Sequence, residues 1–215
     1  MVAKLYIIYL FFLVTTAIAI FSHKKALSRG DLWFGILIVT TIIMESIAWA
    51  SATLFRNNIQ VYYVYNLLQL FMITRYFTES IPYLKKKRIG TVVSLAGLVL
   101  WLSNAIFIRS MKIIGPVFLI FEAMCVIALC LTAFYFLLLE DETRLLRKSL
   151  FWVTALLVTF WSFTFLNWGL DPYSYEFTAP WKRIYEYSIY YINLFTYLGF
   201  AMVFINYKKL IPSGD

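Results

Sequence analysis

Seven long apolar runs alternate along the chain with short polar connections, and that alternation predicts the architecture. A membrane-crossing helix needs about 20 mostly apolar residues. Runs of that length fall at 4–22, 32–54, 61–81, 90–108, 115–139, 150–170 and 184–206. Breakers mark several edges. Pro82 stops the third run, Gly115-Pro116 opens the fifth, and Gly169 with Pro172 closes the sixth. The connections leave no room for a soluble domain. The expected fold is therefore all-α: a polytopic membrane protein, residues 1–215 forming one domain of seven spans. The first run is followed by His23-Lys24-Lys25 rather than by small residues, so it is expected to stay as a permanent span and not as a cleaved signal.

The third run, Val61–Pro82, breaks the apolar pattern most. It carries Asn66, Gln69 and Arg75 within its span. Polar side chains at membrane depth are costly, so they face protein, water or a ligand instead of lipid. Asn66 and Gln69 are three residues apart and share a face. Arg75 lies about 180° around the helix from Asn66, so it is expected to snorkel toward headgroups with Lys85–Arg88 or to pair with Glu79.

Composition agrees with the pattern. The chain is 62% hydrophobic and 14% charged, against about 45–50% and about 25% in soluble domains. A net charge of +8 does not point to nucleic acid, because the basic residues sit in the short connections. They set orientation instead. The connections after the odd-numbered runs hold Lys24, Lys25 and Arg29, then Lys85–Arg88, then Arg144, Arg147 and Lys148, and finally Lys208 and Lys209. That is twelve basic residues, against six in the other segments, which predicts the N-terminus outside and the C-terminus inside. Cys125 and Cys130 lie about 140° apart on one helix and cannot bridge each other.

Few polar groups remain for chemistry. Glu45 falls in the second span, Asn66 and Gln69 in the third, Glu122 in the fifth, Asn167 in the sixth and Asn193 in the seventh, with Glu186 at the mouth of the seventh. They favour the outer half, which predicts an outward-facing polar cavity. An ionised Glu45 at that depth costs several kcal/mol unless paired. Its expected donors are Asn66, Gln69, Asn193, Tyr62, Tyr65 and Trp49. It is then either a ligand or proton-coupling carboxylate or a hydrogen-bonded pin between helices. The ligand-binding set expected from these arguments is Glu45, Asn66, Gln69, Asn193, Tyr62, Glu122 and Asn167. For Glu122, simple snorkelling is the plainer account, and the three amides serve equally well as interhelical glue. Tyrosines at span ends, Tyr62 and Tyr63 among them, fit an interfacial belt. Trp49, Trp161 and Trp168 lie deeper and either wall a pocket or simply pack. The stretch Leu170–Arg183 is expected to be the longest outer loop, a lid over the cavity.

No histidine-rich metal site, Walker loop, G-x-S-x-G elbow or H-E-x-x-H is present. No catalytic residue, metal or cofactor is expected. Leu32-Trp33-Phe34 and Leu150-Phe151-Trp152 open the second and sixth spans alike, and Tyr63–Leu67 resembles Tyr190–Leu194. These likenesses suggest parallel repeats of three spans joined by the fourth.

Glu45, the Tyr65-Asn66-Leu67-Leu68-Gln69 segment and Leu150-Phe151-Trp152 together resemble a loose group of short bacterial seven-helix membrane proteins with no assigned activity. That resemblance implies a place in the bacterial cytoplasmic membrane. Its usual acid stands where this chain has Gln69, which argues against a two-carboxylate mechanism. The 3+1+3 layout is similar to SWEET sugar carriers, although the proline hinges of that family are missing from the first, second, sixth and seventh spans. The seven-helix sensor regions of histidine kinases look comparable in length and topology. Three functions stay open: a small-molecule or lipid binder acting as a carrier, a sensor passing a signal to a separate inner partner, and an intramembrane lipid-modifying enzyme. Expected partners are membrane lipids, an unidentified small-molecule or lipid ligand, and a second copy or partner membrane protein. No nucleic acid is expected.

Overall fold

In the computed structural model, which describes residues 2–107, 116–140, 142–170 and 177–210, each long apolar run is a helix. The helices are α1 Val2–Ser22, α2 Arg29–Phe55, α3 Ile59–Ser80, the short α4 Pro82–Lys86, α5 Ile89–Phe107, α6 Pro116–Glu140, α7 Ser149–Leu170 and α8 Ala179–Ile205. No strand occurs among the described residues. Six of these helices (α1, α2, α5, α6, α7 and α8) are long and apolar enough to cross a membrane. The chain thus has the architecture of an integral membrane protein. Large apolar side chains such as Ile7, Phe11 and Ile18 on α1 and Val92, Val99 and Ile106 on α5 point away from the bundle, where hydrocarbon is the fitting solvent.

Local chemistry sets the helix ends. Ser28 caps α2: its hydroxyl oxygen accepts the Asp31 N–H at 3.0 Å and its hydroxyl donates to Asp31 Oδ2 at 2.8 Å. This reciprocal pair starts α2 three residues earlier than the hydropathy pattern predicts. Pro82 ends α3 and begins α4. Thr178 and Pro180 start α8 five residues earlier than predicted, because proline fits the first turn of a helix. Residues 179–183 therefore belong to a helix and not to a lid. Residues 171–176, the rest of that expected lid, lie outside the described residues, as do the side chain of Glu186 and residues 108–115.

α3 is as long as its neighbours yet is not among the six apolar helices. Its packing explains why. Half of its 22 residues are buried, Asn66, Thr74, Thr78 and Ser80 among them, so its polar groups face protein. It packs on α2, α5 and α6. Glycines bring two of those neighbours close: Gly30 of α2 sits against Ser80 and the Tyr76 carbonyl, and Gly90 of α5 against Thr78 and the Thr74 carbonyl. A Cβ at either position would collide with the Ser80 or Thr78 hydroxyl and crowd the carbonyl beside it, which is why small residues line such membrane interfaces. α2 pairs most extensively with α3, α6 with α7, and α1 with α8. α1 and α8 run parallel, since Tyr9 meets Tyr197 at one level and His23 meets Tyr207 at another.

The core fills the half of the bundle near the α1–α2 turn. Phe34 there packs on Tyr76, Phe200 and Phe204, at ring separations of 4.7–5.6 Å. A second clasp joins α3 to α5. The Tyr63 hydroxyl donates to the Trp101 carbonyl at 2.6 Å, the Trp101 indole N–H donates to the Tyr63 carbonyl at 2.9 Å, and the two rings stack at 4.7 Å. Tyr63 thus fastens α3 to α5.

Candidate functional site

Glu45 lies about 24 Å along α2 from Arg29, at about 1.5 Å per residue. At that height the early turns of α1 and α3 pass on either side of it. Tyr6 and Tyr9 are three residues apart on α1 and so share a face. Both reach the carboxylate: Tyr9 donates to Oε1 at 3.2 Å and Tyr6 to Oε2 at 3.3 Å. Tyr62 at the start of α3 donates to Oε2 at 3.1 Å. Among the described residues no lysine, arginine or histidine pairs with Glu45; the ion pair found there joins Lys85 to Glu79. The carboxylate is only partly buried. A carboxylate accepts about four hydrogen bonds, so three tyrosines leave capacity for one more donor.

A second layer of hydroxyls backs this cage. Thr41, one turn before Glu45 on α2, donates to the Leu37 carbonyl at 2.8 Å. Its single proton is thereby used, so the 2.8 Å contact with Tyr65 has the tyrosine as donor. Tyr197 of α8 packs edge-on against Tyr9 at 5.2 Å, and its hydroxyl adjoins those of Tyr9, Tyr65 and Thr41. Helices α1, α2, α3 and α8 thus converge on one hydroxyl network that ends at Glu45.

The expected donor set is corrected in part. Tyr62 is a donor to Glu45. Trp49 is not, being 63% exposed on the outer surface of α2. Asn193 turns back on its own helix, donating to the Ile189 carbonyl at 2.8 Å. Asn167 likewise donates weakly to the Phe163 carbonyl at 3.4 Å, while its own carbonyl accepts from Tyr185 at 3.1 Å. Asn66 is buried in α3. Gln69 lines a separate small cavity with Trp161 and Tyr197. The seven expected residues therefore do not form one cavity. Glu45 and Tyr62 come together, Gln69 sits one layer away, and Asn167 and Asn193 satisfy their amides within their own helices.

Glu122 also departs from expectation. It does not snorkel: it is fully buried, and neither carboxyl oxygen has a hydrogen-bond partner among the described residues. It lies within Coulombic reach of Tyr65 and Cys125. Arg75 does not pair with Glu79. Its guanidinium lies 5.4 Å from the Trp33 ring centre, a cation–π contact across to α2, while Glu79 is taken by Lys85 at 2.6 Å.

Sequence reasoning missed Tyr6 and Tyr9. Counting helical rise from the turn between α1 and α2 would have placed both at the height of Glu45. It also missed a second buried acid, Asp31, which accepts from Tyr207 at 2.7 Å and from Ser28 at the opposite end of α2. No group of three or more histidine, cysteine or acidic residues able to hold a metal occurs among the described residues. Cys125 and Cys130 are free thiols. An open apolar groove of about 490 Å³ runs along α8 beside Phe163, with Arg183 at one end. No family model matches the chain, and neither the curated proteins nor the solved structures contain a match.

Proposed function

We infer that the chain is a seven-span membrane protein, N-terminus outside, that binds a small molecule or lipid at an outward-facing site centred on Glu45 and acts as a carrier. The observation that carries this reading is the partly exposed Glu45 carboxylate, held by Tyr6, Tyr9 and Tyr62. Neutral hydroxyls hold the acid in place but do not cancel its charge, and its remaining acceptor capacity suits a ligand that brings a proton or a positive charge. An amine fits best, since charge-assisted hydrogen bonds are the strong ones and aromatic rings nearby favour cations.

Several features support the wider reading. The protein-facing polar side of α3 accounts for its lower hydropathy and lets it serve as the seventh span. Parallel packing of α1 with α8 puts their starts on one side of the membrane, which favours an odd number of spans counted from α1 through α8, as seven provide. The twelve-to-six bias of basic residues favours the N-terminus outside. The paired motifs Tyr63–Leu67 and Tyr190–Leu194 favour a 3+1+3 repeat. The bacterial group that the chain resembles favours the cytoplasmic membrane.

A thermal-shift screen of the purified protein against primary, tertiary and quaternary amines and against phospholipids tests the site. A hit should raise the melting temperature of wild type and leave Glu45→Gln unmoved, with both proteins folded. Equal shifts in the two proteins would remove Glu45 from the site. Counterflow of a labelled hit in proteoliposomes then separates a carrier, which exchanges it, from a sensor, which does not. The sensor reading draws on α4, whose Lys85 and Lys86, followed by Lys87 and Arg88, present a basic surface beside Glu79 for an acidic partner.

A further inference from the structure

We propose that the small cavity between α2, α3, α7 and α8 is a built binding site for an ordered water, held by Trp161, Thr196 and Gln69. The cavity has a volume of about 20 Å³. A water needs about 10–15 Å³ of such space and two to four polar partners. Most of the wall is apolar, with Phe34, Ile38 and Phe200 among its residues. Four polar side chains interrupt it: Gln69, Trp161, Thr196 and Tyr197.

Two of them, Trp161 and Thr196, are buried and lack partners among the described residues. The Trp161 indole N–H and the Thr196 hydroxyl have no hydrogen-bond partner among the described residues, although the residues are only 3% and 2% exposed. Thr196 and Thr154 are the two helical threonines whose buried hydroxyls lack a partner among the described residues, and of the two only Thr196 lines the cavity. A threonine inside a helix ordinarily returns its hydroxyl to the carbonyl four residues back. Thr15, Thr16, Thr41, Thr78, Thr132 and Thr159 all do so, at 2.7–2.8 Å. Thr196 does not, and it lines the cavity. Gln69 at the same cavity can both donate and accept. An indole donor, a hydroxyl and an amide around a one-water void match the requirements of a bound water, and a dry void would leave two buried polar groups unsatisfied.

The site extends the Glu45 network inward. Tyr197 lines the cavity and its hydroxyl also adjoins Tyr9, a direct ligand of Glu45. The water therefore ties α7 to the hydroxyl network that already joins α1, α2, α3 and α8. This assignment does not depend on what binds at Glu45.

Thr196→Val decides the matter by sign, because valine keeps the shape and removes only the hydroxyl. With water bound, the variant strips a partner from it, and the melting temperature should fall by about 2–4 °C. In a dry cavity the same change deletes an unsatisfied group, and the melting temperature should stay level or rise. Either of those results overturns the proposal. A second readout uses the unaltered protein: water-edited solid-state NMR in proteoliposomes should transfer magnetisation to the Trp161 indole proton, identified by its loss in Trp161→Phe. An indole signal that receives no transfer overturns the proposal as well.

Discussion

Glu45 and Glu122 are both acids within long apolar helices, yet the bundle treats them in opposite ways. Glu45 receives three tyrosine hydroxyls from two neighbouring helices and keeps an open side. Glu122 is fully enclosed, with no hydrogen bond to either oxygen among the described residues. The difference lies in the neighbours. α2 faces α1 and α3 at the level where each presents tyrosine, whereas α6 presents Glu122 among residues such as Phe118, Leu119 and Val126. A satisfied acid with spare capacity is suited to a ligand. An enclosed acid without donors weakens the fold, because a buried polar group costs about 1–3 kcal/mol when unpaired.

The contrast can be broken by substitution. The largest effect should come from removing two donors at once: Tyr9→Phe with Tyr62→Phe is expected to cost about 3 kcal/mol, since each bond to a charged group contributes about 1.5 kcal/mol or more. Reversible unfolding in mixed micelles measures it, and a loss near zero would show that the cage does not hold Glu45. Glu122→Met should act in the other direction and stabilise the protein by about 2 kcal/mol through loss of an unsatisfied carboxyl. A destabilised variant would mean that Glu122 has a partner that these contacts do not show. Glu45→Gln should be milder, about 1 kcal/mol, because the amide oxygen still accepts tyrosine hydroxyls while its new N–H₂ is poorly matched. If it costs as much as the double tyrosine variant, the charge itself, and not the geometry, holds the cage. The smallest effect belongs to Arg75, a third solution in which an aromatic face replaces hydrogen bonds. Trp33→Leu should cost about 0.5–1 kcal/mol more in wild type than in an Arg75→Met background, and a double-mutant cycle reads that coupling directly.

These residues also show what could be read without coordinates. The long apolar runs, the proline at 82 and the polar character of α3 were legible because each is a property of one helix. Glu45 stood out for the same reason, since an acid in an apolar run needs no partner to be noticed. Its partners were harder to see. Tyr6 and Tyr9 look like ordinary interfacial aromatics until α1 is laid beside α2. Glu122 was misread because hydropathy along α6 gives depth but not direction: a helix that is apolar on all sides does not reveal which face is covered. The partners of Asn193 and Asn167 were hidden for a related reason. Their amides can be satisfied by the preceding turn of their own helix, an outcome that leaves no trace in spacing.

The Tyr63–Trp101 clasp has a mechanical consequence. Each residue donates to the other's carbonyl, so the two bonds are fixed to backbone on both helices. Sliding α5 along α3 by one residue, about 1.5 Å, would stretch both bonds together, while tilting about the stacked rings would strain them far less. The lipid-facing α5 is thereby locked in register: it can lean like a strut but cannot travel like a piston.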